Sequence, residues 1–187
     1  IVTSIKDLDG VSEVHPVVFA EITVPWEPDF SDMWMKEFYE KWLTVPYSQE
    51  KEEYQNHPEN FGSSLIGIDE QEFDFLNKNL EQPINKEEFL SGKTCIIYRN
   101  GLDLSNSDLI GSKVTCALHS DKQVTQTFTI GGVTDESYYT AILGYPPTII
   151  TSDQVVKNFA NESITLKIGV KYTKEYDRNI EKEILKL

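Results

Sequence analysis

The sequence has no apolar run long enough to cross a bilayer. Its best candidate, AILGYPPTII at 141–150, is about half of the roughly 20 residues a spanning helix needs, and it carries Pro146 and Pro147. No signal peptide is visible at the start. Basic residues are scarce: 17 Lys and Arg stand against 31 Asp and Glu, a formal net charge of −14. A surface of that sign repels phosphate backbones, which argues against nucleic-acid binding, and it offers no basic patch to an anionic lipid surface. There are only two cysteines, Cys95 and Cys116, each inside a strand-like run. Without a CxxC pair or a Cys/His spacing they suggest no metal. Two readings fit them: buried free thiols, or a disulfide between neighbouring strands in an oxidising compartment.

Catalytic patterns are also missing. There is no GxxxxGK[ST], no GxGxxG after a strand, no HExxH and no GxSxG. His15, His57 and His119 are far apart and read as loop or surface histidines. Glu52-Glu53 and Glu87-Glu88 are adjacent pairs, which cannot face one another on a helix, so they read as solvated faces. Asp103, Asp108 and Asp121 match no EF-hand spacing and read as turn formers. Asn161-Glu162-Ser163 is a glycosylation sequon by pattern. The expectation is a domain with no catalytic residues, no metal site and no cofactor of its own.

What is present is the composition of a folded domain, 39% hydrophobic and 26% charged over 187 residues, enough for one ordinary core or two small lobes. Ile1, Ile5 and Leu8 recur at helical spacing, Gly10 supplies a left-handed helix end, and Val14–Val24 reads as a strand. SSLIGID at 63–69 reads as a buried strand. Asp69 with Glu72 then opens a helix whose inner stripe is Phe73, Leu76 and Leu80. Asn85 with Glu88 repeats the device for a short helix ending near Gly92. Strands are expected at 93–99, 113–118 and 124–133, with a bulge or close backbone approach at Gly131-Gly132. PTIIT at 147–151 is a strand, and Thr151 or Ser152 caps a helix carrying Val155, Val156 and Phe159. SITLKIGVKY at 163–172 alternates as a half-buried strand. Thr173 is expected to cap a last helix with Tyr176, Ile180, Ile184 and Leu187 on one face. Helices and strands mix without strict alternation, so the fold class is α+β.

Residues 25–62 differ in character and hold all three tryptophans. Ser31 is placed to cap a helix, and a short polar helix runs from Ser48 to about Asn56, ended before Pro58. Trp34, Met35, Phe38, Tyr39 and Trp42 recur along the first of these helices. Two readings are open: an amphipathic helix buried on its own sheet, or a docking surface for a partner or apolar ligand.

In this order the pieces resemble the MacB-like periplasmic core domain, the extracytoplasmic domain of FtsX/MacB/LolC-type ABC transporter permeases. IKDLDGVSEVHPVV is similar to the family's opening helix, Asp-Gly-Val and strand. SSLIGIDEQEFDFL resembles its strand, Gly-Ile-Asp turn and Phe-containing helix, and FLSGKTCIIYRN its Ser-Gly-Lys and strand. DLIGSKVTCAL with FTIGGV resembles its paired hairpin, and SITLKIGVKYTKEYDRNIEKEIL its exit strand and helix. The resemblance covers nearly the whole chain except 25–62.

The resemblance implies two lobes. A porter-like lobe of βαβ character uses 1–72 and 148–187, with a Trp-rich insertion at about 25–62. A strand-rich lobe, 73–147, is inserted in it. It also implies no chemistry in this domain. ATP hydrolysis falls to a separate cytoplasmic ABC ATPase, reached through the rest of the permease. A second permease copy or an accessory extracytoplasmic protein is the implied partner, at the cell membrane on its extracytoplasmic side. Motion for export or transmembrane signalling would enter through the terminal helices at 1–9 and 174–187. The start at Ile1 and the unstopped NIEKEILKL suggest an excised piece, with both ends continuing into membrane helices. That expectation requires the first and last helices to share one side. The rival readings are a stand-alone cell-surface binding module using the Trp-rich segment, and a secreted hydrolase, for which no nucleophile–base constellation can be placed.

Overall fold

The alternation after Gly10 folds as one long strand, β1 (Val11–Thr23), behind a short helix, α1 (Val2–Lys6). In the computed structural model residues 1–27, 30–43, 46–136, 147–160 and 163–187 are described. Asn161 and Glu162 of the sequon, and 141–146 of the apolar run, lie outside the described residues.

After β1 come α2 (Phe30–Phe38), a π-helical turn (Tyr39–Leu43), α3 (Tyr47–Asn56) and β2 (Gly62–Ile68). The middle of the chain gives α4 (Glu70–Lys78), α5 (Lys86–Leu90), β3 (Thr94–Tyr98), α6 (Asn106–Leu109), β4 (Lys113–Leu118) and β5 (Thr125–Thr134). The chain then forms β6 (Thr148–Ser152), α7 (Asp153–Phe159), β7 (Ile164–Tyr172) and α8 (Arg178–Ile184). Short polar side chains set most helix starts. Asp69, Asn85 and Ser152 each accept a hydrogen bond from a backbone N–H of the first turn, and Ser105 with Asp108 forms a full capping box. The final helix departs from expectation. Asp177, not Thr173, caps α8, because Thr173 is tied by its backbone N–H and its hydroxyl to the Gly10 carbonyl. Tyr176 therefore lies outside α8.

The fold is α+β, built on one seven-stranded mixed sheet. β2 pairs antiparallel with β1, from Val18↔Gly67 to Thr23↔Gly62, and parallel with β6. The order continues through β3, β5 and β4, and β4 returns to β1 through Ile22↔Leu118 and Thr23↔Ala117. Six strands thus close into a ring. β7 stands outside the ring, antiparallel to β1 from Val11↔Tyr172 to Phe19↔Ile164. The expected division at 72 and 147 does not correspond to a break in this sheet. β3, from the expected inserted lobe, pairs with β6 of the expected porter lobe, and β4 pairs with β1.

Strand alternation sorts the apolar side chains into two clusters. One gathers Val18, Leu65, Ile97, Cys116, Phe128 and Ile149, a residue from every ring strand, and is the ring interior. The other holds Ile66, Ile96 and Ile150 with Phe73, Leu76 and Phe89, where α4 and α5 cover the outer face; Phe73 and Phe89 stack at 4.3 Å. The bulge foreseen at Gly131-Gly132 is present, since the β3–β5 register steps from Cys95↔Ile130 to Ile96↔Gly132. It is also a close approach: a Cβ on Gly132 would lie 2.7 Å from Leu80 Cδ1. Cys95 and Cys116 are free, fully buried and separated by β5. Burial pushes the Cys116 thiol up to about 12 and Cys95 well above its usual range, so both behave as small apolar core residues.

The Trp-rich segment fills the same interior. Phe30, Trp34, Met35, Phe38, Tyr39, Tyr54 and Phe61 join the ring cluster. Asp32 pins the segment by accepting from Trp26 Nε1 at 2.9 Å, Tyr47 OH at 3.0 Å and Lys51 Nζ at 2.5 Å. Burial pushes the Asp32 carboxyl up, but the Lys51, Trp26 and Tyr47 hydrogen bonds outweigh it and hold it below the usual range. Ser31 lies inside α2; its hydroxyl accepts from the Glu27 N–H and donates to the Pro25 carbonyl.

Trp34 is 0% exposed, and among the described residues its indole N–H has no hydrogen-bond partner. Trp34→Ala is expected to destabilise by about 3–5 kcal/mol. Trp34→Phe removes the unpaired donor along with some volume, and is expected to stay within about 1.5 kcal/mol of the parent. Urea unfolding of the two variants checks the difference; equal losses would place Trp34 outside the core.

Candidate functional site

The β1–β7 ladder brings the two ends of the described chain together. The Thr173 N–H donates to the Gly10 carbonyl at 2.9 Å, directly beyond the Val11↔Tyr172 pair. Gly10 adopts φ +90, a conformation that L side chains avoid. The space above it is taken by α8, since a Cβ at Gly10 would lie 2.4 Å from Ile180 Cδ1. α1 is anchored beside this point by Ile5, 2% exposed. Both terminal helices therefore leave from one end of the sheet. Large apolar side chains stay exposed on these terminal segments: Ile1, Tyr176, Leu185 and Leu187.

A polar groove of about 480 Å³ runs beside this seam, between α1, β1 and the start of α4. At its centre is His15, which the sequence suggested as a loop or surface residue. It lies within β1 and its side chain is only 17% exposed. Nδ1 is 2.7 Å from Asp69 Oδ2 and Nε2 is 3.2 Å from Glu13 Oε2. Carboxylates only accept, so the imidazolium is the form that donates at both nitrogens. Asp69 Oδ1 meanwhile accepts from the Glu72 N–H at 2.9 Å as the cap of α4. One carboxylate thus joins a helix start to the middle of β1.

Several of the surrounding charges are paired. Lys171 of β7 donates to Glu13 Oε1 at 2.8 Å and holds the Glu13 carboxyl below its usual range, against the upward push of burial. Lys86 lies 2.7 Å from both Asp74 and Glu70, which raise it, Asp74 the more. The groove is a lattice of ion pairs bridging β7, β1, α4 and α5. Among the described residues no group of three His, Cys, Asp or Glu could hold a metal ion.

The other sequence-selected residues lie apart. His57 is exposed, 3.5 Å from Glu59, and His119 follows β4, 3.7 Å from Glu21. Asp103 pairs with Lys41, Asp108 caps α6 and Asp121 closes a turn by accepting from the Gln123 N–H. The aromatic face does not form a docking surface as a unit. Trp34, Met35, Phe38 and Tyr39 are buried in the ring, and only Trp42, 54% exposed, faces outward. The reason is the π-helical turn at Tyr39–Leu43, whose wider winding rotates Trp42 off the buried stripe.

No protein-family model matches this chain, and no curated protein matches it. Two solved structures align over most of it. One is the extracellular domain of the noncanonic ABC-type transporter YknZ from Gram-positive bacteria, at 14% identity and a TM-score of 0.48, covering 93% of this chain and 72% of that one. The other is the periplasmic region of MacB from Actinobacillus actinomycetemcomitans, at 12% identity and a TM-score of 0.48, covering 98% of this chain and 68% of that one.

Asp69→Ala removes both a helix cap and the partner of His15, and is expected to cost about 1–2 kcal/mol or more. Asp69→Asn keeps the cap acceptor and is expected to lose less. Identical urea midpoints for both variants and the parent would show that the link carries nothing. The Glu13–Lys171 pair has a defined pH sign. Because the folded Glu13 pKa is lowered, its contribution is present above the ordinary glutamate value and lost as pH falls through the lowered one. Lys171→Met should therefore be less stable than the parent near neutrality and converge with it in acid, followed by thermal melts across pH.

Proposed function

We propose that this chain is an extracytoplasmic domain of an ABC transporter permease subunit, coupling ATP-driven motion of membrane helices to export or transmembrane signalling. In this reading the domain does no chemistry, and ATP is hydrolysed by a separate cytoplasmic subunit. Its partner is a second permease copy or an accessory extracytoplasmic protein. The observation that carries the reading is the adjacency of the chain ends. α8 rests on Gly10 through Ile180, and the Thr173–Gly10 hydrogen bond locks the exit of β7 to the entry of β1. A domain driven through both ends by one bilayer needs this arrangement. The ordered motifs from IKDLDGVSEVHPVV to SITLKIGVKY support it independently.

The mechanics follow from packing. A displacement of α8 bears on the Gly10 turn, and through the ladder on β1. Close-packed cores move as bodies instead of deforming, so β1 would carry the ring with it. The rival binding-module reading drew on an aromatic face that is largely used up inside the ring.

The test uses the full-length transporter. Ile180→Pro breaks the seat of α8 on Gly10. It is expected to leave basal ATPase intact and to reduce partner- or substrate-stimulated ATPase to near the basal level. Ile180→Val should behave as the parent. Unchanged stimulation in the proline variant, with the helix shown to be broken by hydrogen exchange, would remove the mechanical role.

A further inference from the structure

One edge of β1 changes partner along its length. It pairs with β7 as far as Phe19 and with β4 from Ile22 onward. Where the two neighbouring strands part, the sheet forks at Ala20 and Glu21. A cavity of about 490 Å³ opens in the fork, within the range of small-molecule sites, roughly 300–1,000 Å³. Part of its lining is apolar: Leu118 at the end of β4, Val124 in the β4–β5 turn and Phe159 at the end of α7. The lining also includes Glu21, His119 and Asp121.

The polar part of the lining is short of positive charge. Among the described residues Glu21 has no lysine or arginine ion pair; its nearest basic neighbour is His119 Nδ1, 3.7 Å away and beyond hydrogen-bond reach. The adjacent lysine, Lys122, is engaged by Glu59 at 3.4 Å. The His119 N–H, just past the end of β4, donates to the Glu21 main-chain carbonyl and not to its carboxylate. The whole chain carries −14, so the field at this mouth draws cations.

We propose that the fork pocket binds a small organic cation with an apolar body, an alkyl- or arylammonium. Its charged end sits at Glu21 and Asp121, and its body lies against Val124, Leu118 and Phe159. A purely inorganic cation would leave the apolar lining unused, and a neutral ligand would leave the Glu21 charge without a counter-charge. The site is independent of the permease reading, since it uses none of the residues at the chain ends.

The experiment titrates the chain with phenethylammonium chloride, with 2-phenylethanol as the neutral counterpart, and follows backbone amides by NMR. Saturable shifts confined to Glu21, 118–124 and Phe159 are expected. Binding of the alcohol should be several-fold weaker. Glu21→Gln should weaken the ammonium about three- to tenfold, as for a partly exposed charged contact, and leave the alcohol unchanged. Val124→Lys, at an exposed position, should abolish ammonium binding. Raising the salt from about 0.05 to 0.5 M should weaken the ammonium alone. No saturation at these amides by about 10 mM would overturn the proposal, since sites weaker than that are not specific recognition. Equal binding of ammonium and alcohol, or indifference to Glu21→Gln in a variant with the parent's melting temperature, would overturn it as well.

Discussion

β1 hydrogen-bonds to three other strands, although a strand has only two edges. The arrangement works because one edge is divided lengthwise, β7 taking the first part and β4 the last. Closure of the ring depends on that division. If β7 continued past Phe19, β4 could not reach Ile22, and the strands would form an open sheet with a long unpaired edge. Bulges in the β1–β7 ladder, between Val11 and Glu13 and between Val17 and Val18, accompany the turn of β1 from one partner to the other. The same division opens the fork at Ala20 and Glu21.

The interior of the ring is filled by more than the inward side chains of its six strands. The segment between β1 and β2 adds its aromatic side chains to it, with Trp34 and Met35 completely buried. Fixing so long a connection is costly in conformational entropy, so its polar groups have to be held as well as its apolar ones. Asp32 does this for three donors from separate parts of the segment. The Tyr54 hydroxyl closes the arrangement onto the Val24 carbonyl at 2.9 Å.

Much of the local structure was legible because it is set by neighbours in sequence. The caps at Asp69, Asn85 and Ser152, the inner stripe of α4 and the bulge at Gly131-Gly132 each follow from a few adjacent residues. The misreadings share a different cause. Thr173 lost its capping role to a bond with Gly10, 163 residues away. His15 read as a loop residue because Pro16 follows it, yet its place was set by Asp69 across a strand pair. The two-lobe division was implied by the resemblance alone; no local feature announced that β3 would pair with β6 or β4 with β1 across its boundaries. Trp42 left its helical face through a π turn that has no sequence signature here. The adjacency of the chain ends was expected only through resemblance, since Gly10 and Thr173 meet by register alone. The fork pocket was invisible for the same reason, its lining coming from β1, β4 and α7.

The branch position of β7 has a mechanical consequence under the proposed function. Among the described strands β7 pairs only with β1. Besides the seat of Ile180 on the Gly10 turn, a force entering through α8 can reach the ring through β7 along two routes: the ladder from Val11 to Phe19, and the charge lattice that ties Lys171 to Glu13, His15 and Asp69. The ladder is in shear when β7 is pulled along its axis, so its hydrogen bonds are loaded together rather than one at a time. The lattice ends on the cap of α4, which lies on the opposite face from the Trp-rich segment. Both routes converge on the Val11–Phe19 stretch of β1, and neither passes through the fork. A ligand seated at Glu21 would thus meet β1 beyond the loaded stretch, at the point where the strand has already joined the closed ring.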